Sequence, residues 1–103
     1  KKITLHYSKE DSRFINFGFS TVSPRFDQVD LSARLDEIRV IPYTTNIDSI
    51  KDPLFYTQKS YFARLAKDEM AIVHPINTSW AVVIKIKETA ERYVHFQWKI
   101  LDI

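Results

Sequence analysis

The chain has 103 residues, of which 45% are apolar and 14% aromatic, and its 15 basic and 13 acidic side chains give a formal net charge of +2. This composition is typical of a folded domain, and the charge is low for a dedicated nucleic-acid-binding protein. The lack of cysteine excludes disulfides, thiolate metal sites and a cysteine nucleophile, and the single glycine excludes glycine-rich phosphate-binding loops.

No apolar run in the sequence is long enough to span a membrane, and the start lacks a signal-peptide pattern. The first residue is Lys1 and the single methionine is Met70. We therefore expect residues 1–103 to be a single compact domain excised from a longer protein. The lack of cysteine favours an intracellular location.

The first third of the chain predicts two strands followed by an ambiguous segment. Residues 2–8 and 13–22 alternate apolar and polar side chains, and Gly18 within the second strand indicates a bulge or a close approach of another backbone. Residues 30–38 fit either a short helix capped by Asp30 or a strand with Leu31 on its apolar side. We favour the helix.

The middle of the chain predicts a strand and then the main helix. Residues 38–45 are rich in β-branched side chains, and Pro42 confines such a strand to a sheet edge or a strand end. Residues 51–69 carry helix signals, because Asp52 is a good N-cap, Pro53 suits the first helical position and apolar residues follow at helical spacing.

The last third of the chain predicts three strands, at 70–75, 80–87 and 92–101. The expected fold class is therefore α+β: a mostly antiparallel sheet of five to six strands, one main helix at about 53–66 packed on one face, and a C-terminal β-hairpin.

The closing hairpin has a predicted register because residues that face each other lie on the same side of a sheet. A five-residue loop at 88–92 pairs Val82 with Trp98, and a three-residue loop at 88–90 pairs Trp80 with Trp98. Both registers direct one apolar set of side chains to the core. They direct a basic-aromatic set to the other side: Lys85, Lys87, Tyr93, His95, Gln97 and Lys99.

The basic-aromatic side of the hairpin is a candidate nucleic-acid surface, since lysines can contact phosphates and aromatic rings can stack on bases. The alternative is a solvated sheet face whose lysines protect against aggregation, and we favour it because the diagnostic RNA-binding pattern is missing. Ala81 and Val83 lie on the same side, so part of this face is expected to be covered.

The three histidines, His6, His74 and His95, are far apart and lack metal-ligand spacing, so we expect neither a bound metal nor a cofactor. No serine has an adjacent base, and a small metal-independent enzyme stays the third hypothesis, without a named catalytic residue.

The sequence therefore favours a non-catalytic binding domain that recognises a protein or peptide partner, with nucleic acid as the alternative partner and no membrane. Capture of a peptide at a sheet edge is the simplest mode, because backbone groups then supply the affinity. The oligomeric state is left open. The candidate edge is the strand at 38–45, with contacts from Val40, Ile41, Tyr43 and Thr44.

Overall fold

The computed structural model describes residues 2–8, 11–33 and 36–103, with the backbone alone for 2–8, 11–14 and 16. β1 (Lys2–Ser8) and β2 (Asp11–Asn16) form a hairpin. A three-stranded antiparallel sheet has the order β3-β4-β7, with β3 (Gly18–Thr21), β4 (Gln28–Ser32) and β7 (Phe62–Ala66). A five-stranded antiparallel sheet has the order β10-β9-β8-β5-β6, with β5 (Glu37–Val40), β6 (Lys59–Ser60), β8 (Met70–His74), β9 (Trp80–Thr89) and β10 (Val94–Asp102).

The predicted main helix at 53–66 is wrong, and with it the α+β fold class. Its start is real but short: Pro53–Phe55 is one 3-10 turn, and the Asp52 carboxylate accepts a hydrogen bond from the Leu54 amide at 2.9 Å. The following residues form β6 and β7, where Ala63 and Leu65 are buried and alternate with the exposed Arg64. This alternation of every second side chain places one apolar face of β7 on the core. The segment is therefore a strand, despite the helical spacing of its apolar residues.

The preference for a helix at 30–38 is also wrong, and the strand alternative holds for the described part. β4 runs through Ser32, with Val29 and Leu31 fully buried between its neighbours β3 and β7. Residues 34 and 35 lie outside the described residues. The strands predicted at 70–75, 80–87 and 92–101 are confirmed, and the strand at 13–22 is interrupted at Phe17, next to Gly18.

The main core lies between the two larger sheets. Val29, Leu31 and Leu65 of the three-stranded sheet pack against one side of the five-stranded sheet, which contributes Ile38, Val73, Val82, Ile84 and Ile86. The two sheets are linked by β6 and β7, which follow each other in the chain: β6 pairs with β5 and β7 pairs with β4.

A second core covers the opposite side of the five-stranded sheet. Segment 41–58, which contains the 3-10 turns Ile47–Ser49 and Pro53–Phe55, places Ile47 and Ile50 over Ile72 and Val83. Loop structure therefore covers the face on which we expected a helix. Because β8 and the first half of β9 are buried on both sides, residues 70–73 and 81–84 are continuously apolar.

The C-terminal hairpin has neither predicted register, although the two predicted sides hold from Trp80 to Ile86. Ile84 pairs with Trp98 and Lys85 with Gln97, and the loop is 90–93. The register shifts between Phe96, which pairs with Ile86, and His95, which pairs with Glu88. Lys87 is thus the extra residue of a β-bulge.

The strand predicted at 38–45 is shorter than expected and does not form a sheet edge. β5 ends at Val40 and lies between β8 and β6, and the Val40 amide donates to the Gln58 carbonyl at 2.9 Å. Pro42 follows the strand, in agreement with its predicted place at a strand end. Among the described residues, no helix has the length and apolar character needed to cross a membrane.

Candidate functional site

The outer edge of β10 is the longest unpaired strand edge in the five-stranded sheet. β10 has nine residues and is the last strand of its sheet, so that among the described residues only β9 pairs with it. Such an edge presents a row of backbone donors and acceptors to which another strand can pair.

The backbone groups that point outward can be identified from two neighbouring hydrogen bonds. Ile103 donates its amide to Ser79 at 2.7 Å, toward β9, whereas Ile86 of β9 donates to Glu69 at 3.1 Å, away from β10. Because backbone groups alternate sides along an antiparallel strand, Gln97, Lys99 and Leu101 bond to β9. The outward amides and carbonyls therefore belong to Phe96, Trp98 and Ile100.

The side chains of these outward-bonding residues form an apolar row. Phe96 and Ile100 are half-buried and pack against the main core, and Trp98 between them is 41% exposed. The sequence predicted that Trp98 shares the side of Ile84, and this is confirmed. Trp98 is nevertheless more exposed than its core-facing position suggested, and within the described ranges no further strand pairs with the outer side of β10.

A groove of about 370 Å³ lies at the Phe96 end of this row, between β3 and the start of β10. Its apolar floor is an aromatic cluster: Phe96 is 5.9 Å from Phe17 and 5.1 Å from Phe19, measured between ring centroids. Tilted and edge-on rings at such distances attract one another while leaving ring surface accessible at the rim. The groove can therefore accept an apolar side chain next to the free edge.

The rim of the groove is polar and is fixed by contacts across the two sheets. Thr21 donates to the Glu91 carbonyl at 3.0 Å, and Arg92 and Tyr93 line the same rim. The Tyr93 hydroxyl donates to the Glu88 carboxylate, and this hydrogen bond, together with some desolvation, raises the pKa of Tyr93. Tyr93 thus lies at the groove rather than with the lysines of the predicted basic-aromatic face.

The predicted basic-aromatic face is divided and partly covered. The Lys85 ammonium donates to the Thr45 carbonyl at 2.7 Å, and Lys87 lies 3.5 Å from the Asp68 carboxylate. Desolvation lowers the pKa of Lys99, opposed by Asp48 and assisted by Lys51. His95 and Gln97 are exposed.

A shallow groove of about 270 Å³ lies at the end of β5, where the sequence predicted edge contacts. Val40 and Tyr43 line it together with Phe55 and Tyr56, whereas Ile41 is buried in the second core and Thr44 is exposed. The Tyr43 and Tyr56 hydroxyls are hydrogen-bonded at 2.5 Å. Burial and this bond raise the pKa of Tyr56 to about 12.

The histidines are not brought together in the described part of the chain. His74 contacts the Thr78 carbonyl at 3.0 Å through Nε2, and His95 lies on β10. The side chain of His6 lies outside the described residues. Within the described ranges, no group of three or more histidine, aspartate or glutamate residues has the geometry to hold a metal ion.

Sequence reasoning missed β10 as the free edge because it assigned that position to residues 38–45. Residues 94–102 contain no proline or glycine and alternate apolar with polar side chains over most of their length, which predicts a long strand but does not distinguish an edge strand from a central one. The order of strands in the sheet, which decides where the edge lies, cannot be obtained from alternation alone.

The fold and this site define an all-β domain with an open strand edge beside an aromatic groove. No known protein family matches the chain, and no curated protein or solved structure is significantly similar to it.

Proposed function

We propose that this chain is a binding domain that recognises an extended segment of a partner protein by strand addition at the outer edge of β10. The observation that carries the proposal is the row of outward amides and carbonyls at Phe96, Trp98 and Ile100 on a strand of nine residues. Main-chain hydrogen bonds of this kind give affinity, and pockets for alternate side chains give specificity.

The groove beside β10 supplies such a pocket. An added strand has every second side chain on the side of Phe96 and Trp98, and one of those side chains can lie on the aromatic floor of the groove. The partner segment should therefore carry aromatic or aliphatic residues at alternate positions.

The lysines of the hairpin favour this proposal over nucleic-acid binding. A phosphate-binding face needs several free cationic groups on one surface. Lys85 and Lys87 instead contact the Thr45 carbonyl and the Asp68 carboxylate, and Lys99 is half-buried.

The test uses peptides selected by the chain from a displayed library of random dodecapeptides. Bound peptide should slow hydrogen exchange at the amides of Phe96, Trp98 and Ile100, which we expect to exchange freely in the peptide-free chain at concentrations where it is monomeric. The amides of Gln97 and Lys99 already bond to β9 and should change little. Selected peptides that bind without protecting the outward amides would contradict the proposal.

A pair of variants separates the β10 edge from the other exposed aromatic surface. Trp98→Ala should weaken binding of the selected peptides, because an exposed aromatic next to the added strand loses its cross-strand contacts. Phe55→Ala is the matched control, since Phe55 is 73% exposed and lies by the groove at the end of β5. An equal loss in both variants would place the site elsewhere.

A further inference from the structure

We infer that the strand which occupies the free edge of β10 is β10 of a second copy of this chain, paired antiparallel about a two-fold axis at Trp98. This inference rests on the proposed function, because it uses the same backbone edge. It names the partner as the chain itself and predicts one register.

The sequence of β10 is complementary to itself in this register. With Trp98 opposite Trp98 of the second copy, Phe96 lies opposite Ile100, so the apolar row of each copy continues into that of the other. On the opposite side, Gln97 meets Lys99 and His95 meets Leu101. No like charges face each other, and aromatic and β-branched pairs are the cross-strand contacts that stabilise sheets.

The backbone groups fit the same register. The outward amides and carbonyls belong to Phe96, Trp98 and Ile100, and the register pairs these residues only with one another. Each such pair can exchange two hydrogen bonds, as the narrow pairs of an antiparallel ladder do. The two five-stranded sheets would then join into one continuous sheet.

Neighbouring registers are less favourable. Moving the two-fold axis to Lys99 places two ammonium groups opposite each other, which destabilises a strand pair. Moving it to Gln97 leaves Leu101 and the following residue beyond the overlap. The axis at Trp98 is the position at which all nine residues of β10 are paired.

The middle of the edge, from His95 to Leu101, carries few of the features that usually prevent pairing with another chain. Natural free edges carry prolines, bulges that interrupt the edge strand, or charged side chains that block approach. β10 has no proline or glycine, and the extra residue of the hairpin bulge lies on β9. Its one lysine, Lys99, is half-buried near Asp48 and Lys51, on the side of segment 41–58.

Sedimentation of the 103-residue chain over a range of concentrations tests the dimer. The chain should change from monomer to dimer as its concentration rises. Trp98→Lys should raise the dissociation constant at least about tenfold, because it places like charges opposite each other at the axis. Circular dichroism checks that the variant keeps its strand content. A wild-type chain that stays monomeric up to millimolar concentration would overturn the inference.

Cysteine cross-linking tests the register, since the native chain has no cysteine. Gln97→Cys mixed with Lys99→Cys should form a disulfide-linked dimer, because the two Cα atoms would be about 4.5 Å apart. Lys99→Cys alone should not, since its two copies would be roughly 8 Å apart. Cross-linking of Lys99→Cys alone, or none in the mixture, would overturn the register.

The two proposals can fail separately. If the chain is monomeric but selected peptides still protect the outward amides, the edge binds a different protein and the second copy is wrong. If peptides leave those amides unprotected and the chain is also monomeric, both proposals fail.

Discussion

The two ends of the five-stranded sheet differ in how each strand edge is closed. β6 has two residues and continues at once into β7, which pairs within the other sheet. β10 has nine residues, and among the described residues no strand lies on its outer side. One edge therefore ends by joining the fold, while the other is left available for pairing.

The closed edge is also held by a network of charged side chains. The Glu37 carboxylate accepts from the Arg39 guanidinium at 2.6 Å and lies 3.1 Å from the Lys59 ammonium. Arg39 is 9% exposed and also donates to the Tyr56 carbonyl at 2.7 Å, which fastens segment 41–58 to β5. Hydrogen-bonded charges of this kind fix one local geometry.

This contrast shows that only one end of the five-stranded sheet, the β6 end, carries several features that prevent pairing with another strand. The β6 end uses a short strand, a lysine and a buried arginine, which are common ways to prevent strand addition. The β10 end instead carries the apolar row of Phe96, Trp98 and Ile100, with the groove beside it. This difference supports the proposal that a partner binds at β10.

The largest expected effect comes from proline substitutions that test which backbone groups of β10 point outward. Leu101→Pro removes an amide that bonds to β9. Its free energy of unfolding should therefore be at least about 3 kcal/mol lower than that of Leu101→Ala. Ile100→Pro removes an outward amide and should stay within about 1 kcal/mol of Ile100→Ala. Chemical denaturation measures the four values, and the opposite order would mean that the pairing sides of β10 are reversed.

The next effect concerns the closed edge. Arg39→Met should lower the free energy of unfolding by about 2–3 kcal/mol, because the buried Tyr56 carbonyl loses its donor and Glu37 loses one partner. Lys59→Met is the control and should cost less than about 1 kcal/mol, since Lys59 is an exposed partner of the same carboxylate. Similar costs would show that burial of Arg39 contributes little.

The stability that the closed edge contributes should also depend on pH. Partial burial raises the pKa of Glu37, but hydrogen bonds from Lys59 and Arg39 lower it more, so its pKa lies below the ordinary 4.5. A lowered pKa adds stability above the unfolded-state value, and this stability is lost as the pH falls through the folded-state value. Below about pH 4.5, the stability of Glu37→Gln should therefore fall less steeply than that of the wild type. Parallel curves would contradict the network.

The sequence predicted the strands best where alternation and turns agree, and it failed where two periods compete. Asp52 and Pro53 do begin a helical turn, but Ala63 and Leu65 serve an apolar strand face, and tertiary packing decided between the two patterns. The sides of β9 and β10 were predictable from parity. The bulge at Lys87 and the order of strands were not, because both depend on contacts between distant segments.

The candidate site shows the same division. Tyr93, His95, Gln97 and Lys99 were identified as candidates on the hairpin, and Tyr93 does line the groove at β10. Phe17 and Phe19 were assigned only to a strand, since nothing in the local sequence indicates that they meet Phe96 across two sheets. A site whose residues come from two different sheets leaves no local motif.

The smallest expected effect tests whether Lys99 protects the edge of β10 against pairing with other chains. If Lys99 blocked the edge, Lys99→Gln would increase self-association beyond the dimer. Because the ammonium lies near Asp48 and Lys51, we instead expect a change in stability within about 0.5 kcal/mol and no change in sedimentation. Trp98→Lys is the matched comparison, since it adds a charge within the apolar row and should lower self-association. Light scattering that rises in Lys99→Gln alone would show that Lys99 protects the β10 edge. Both edges of the sheet would then be protected by a lysine.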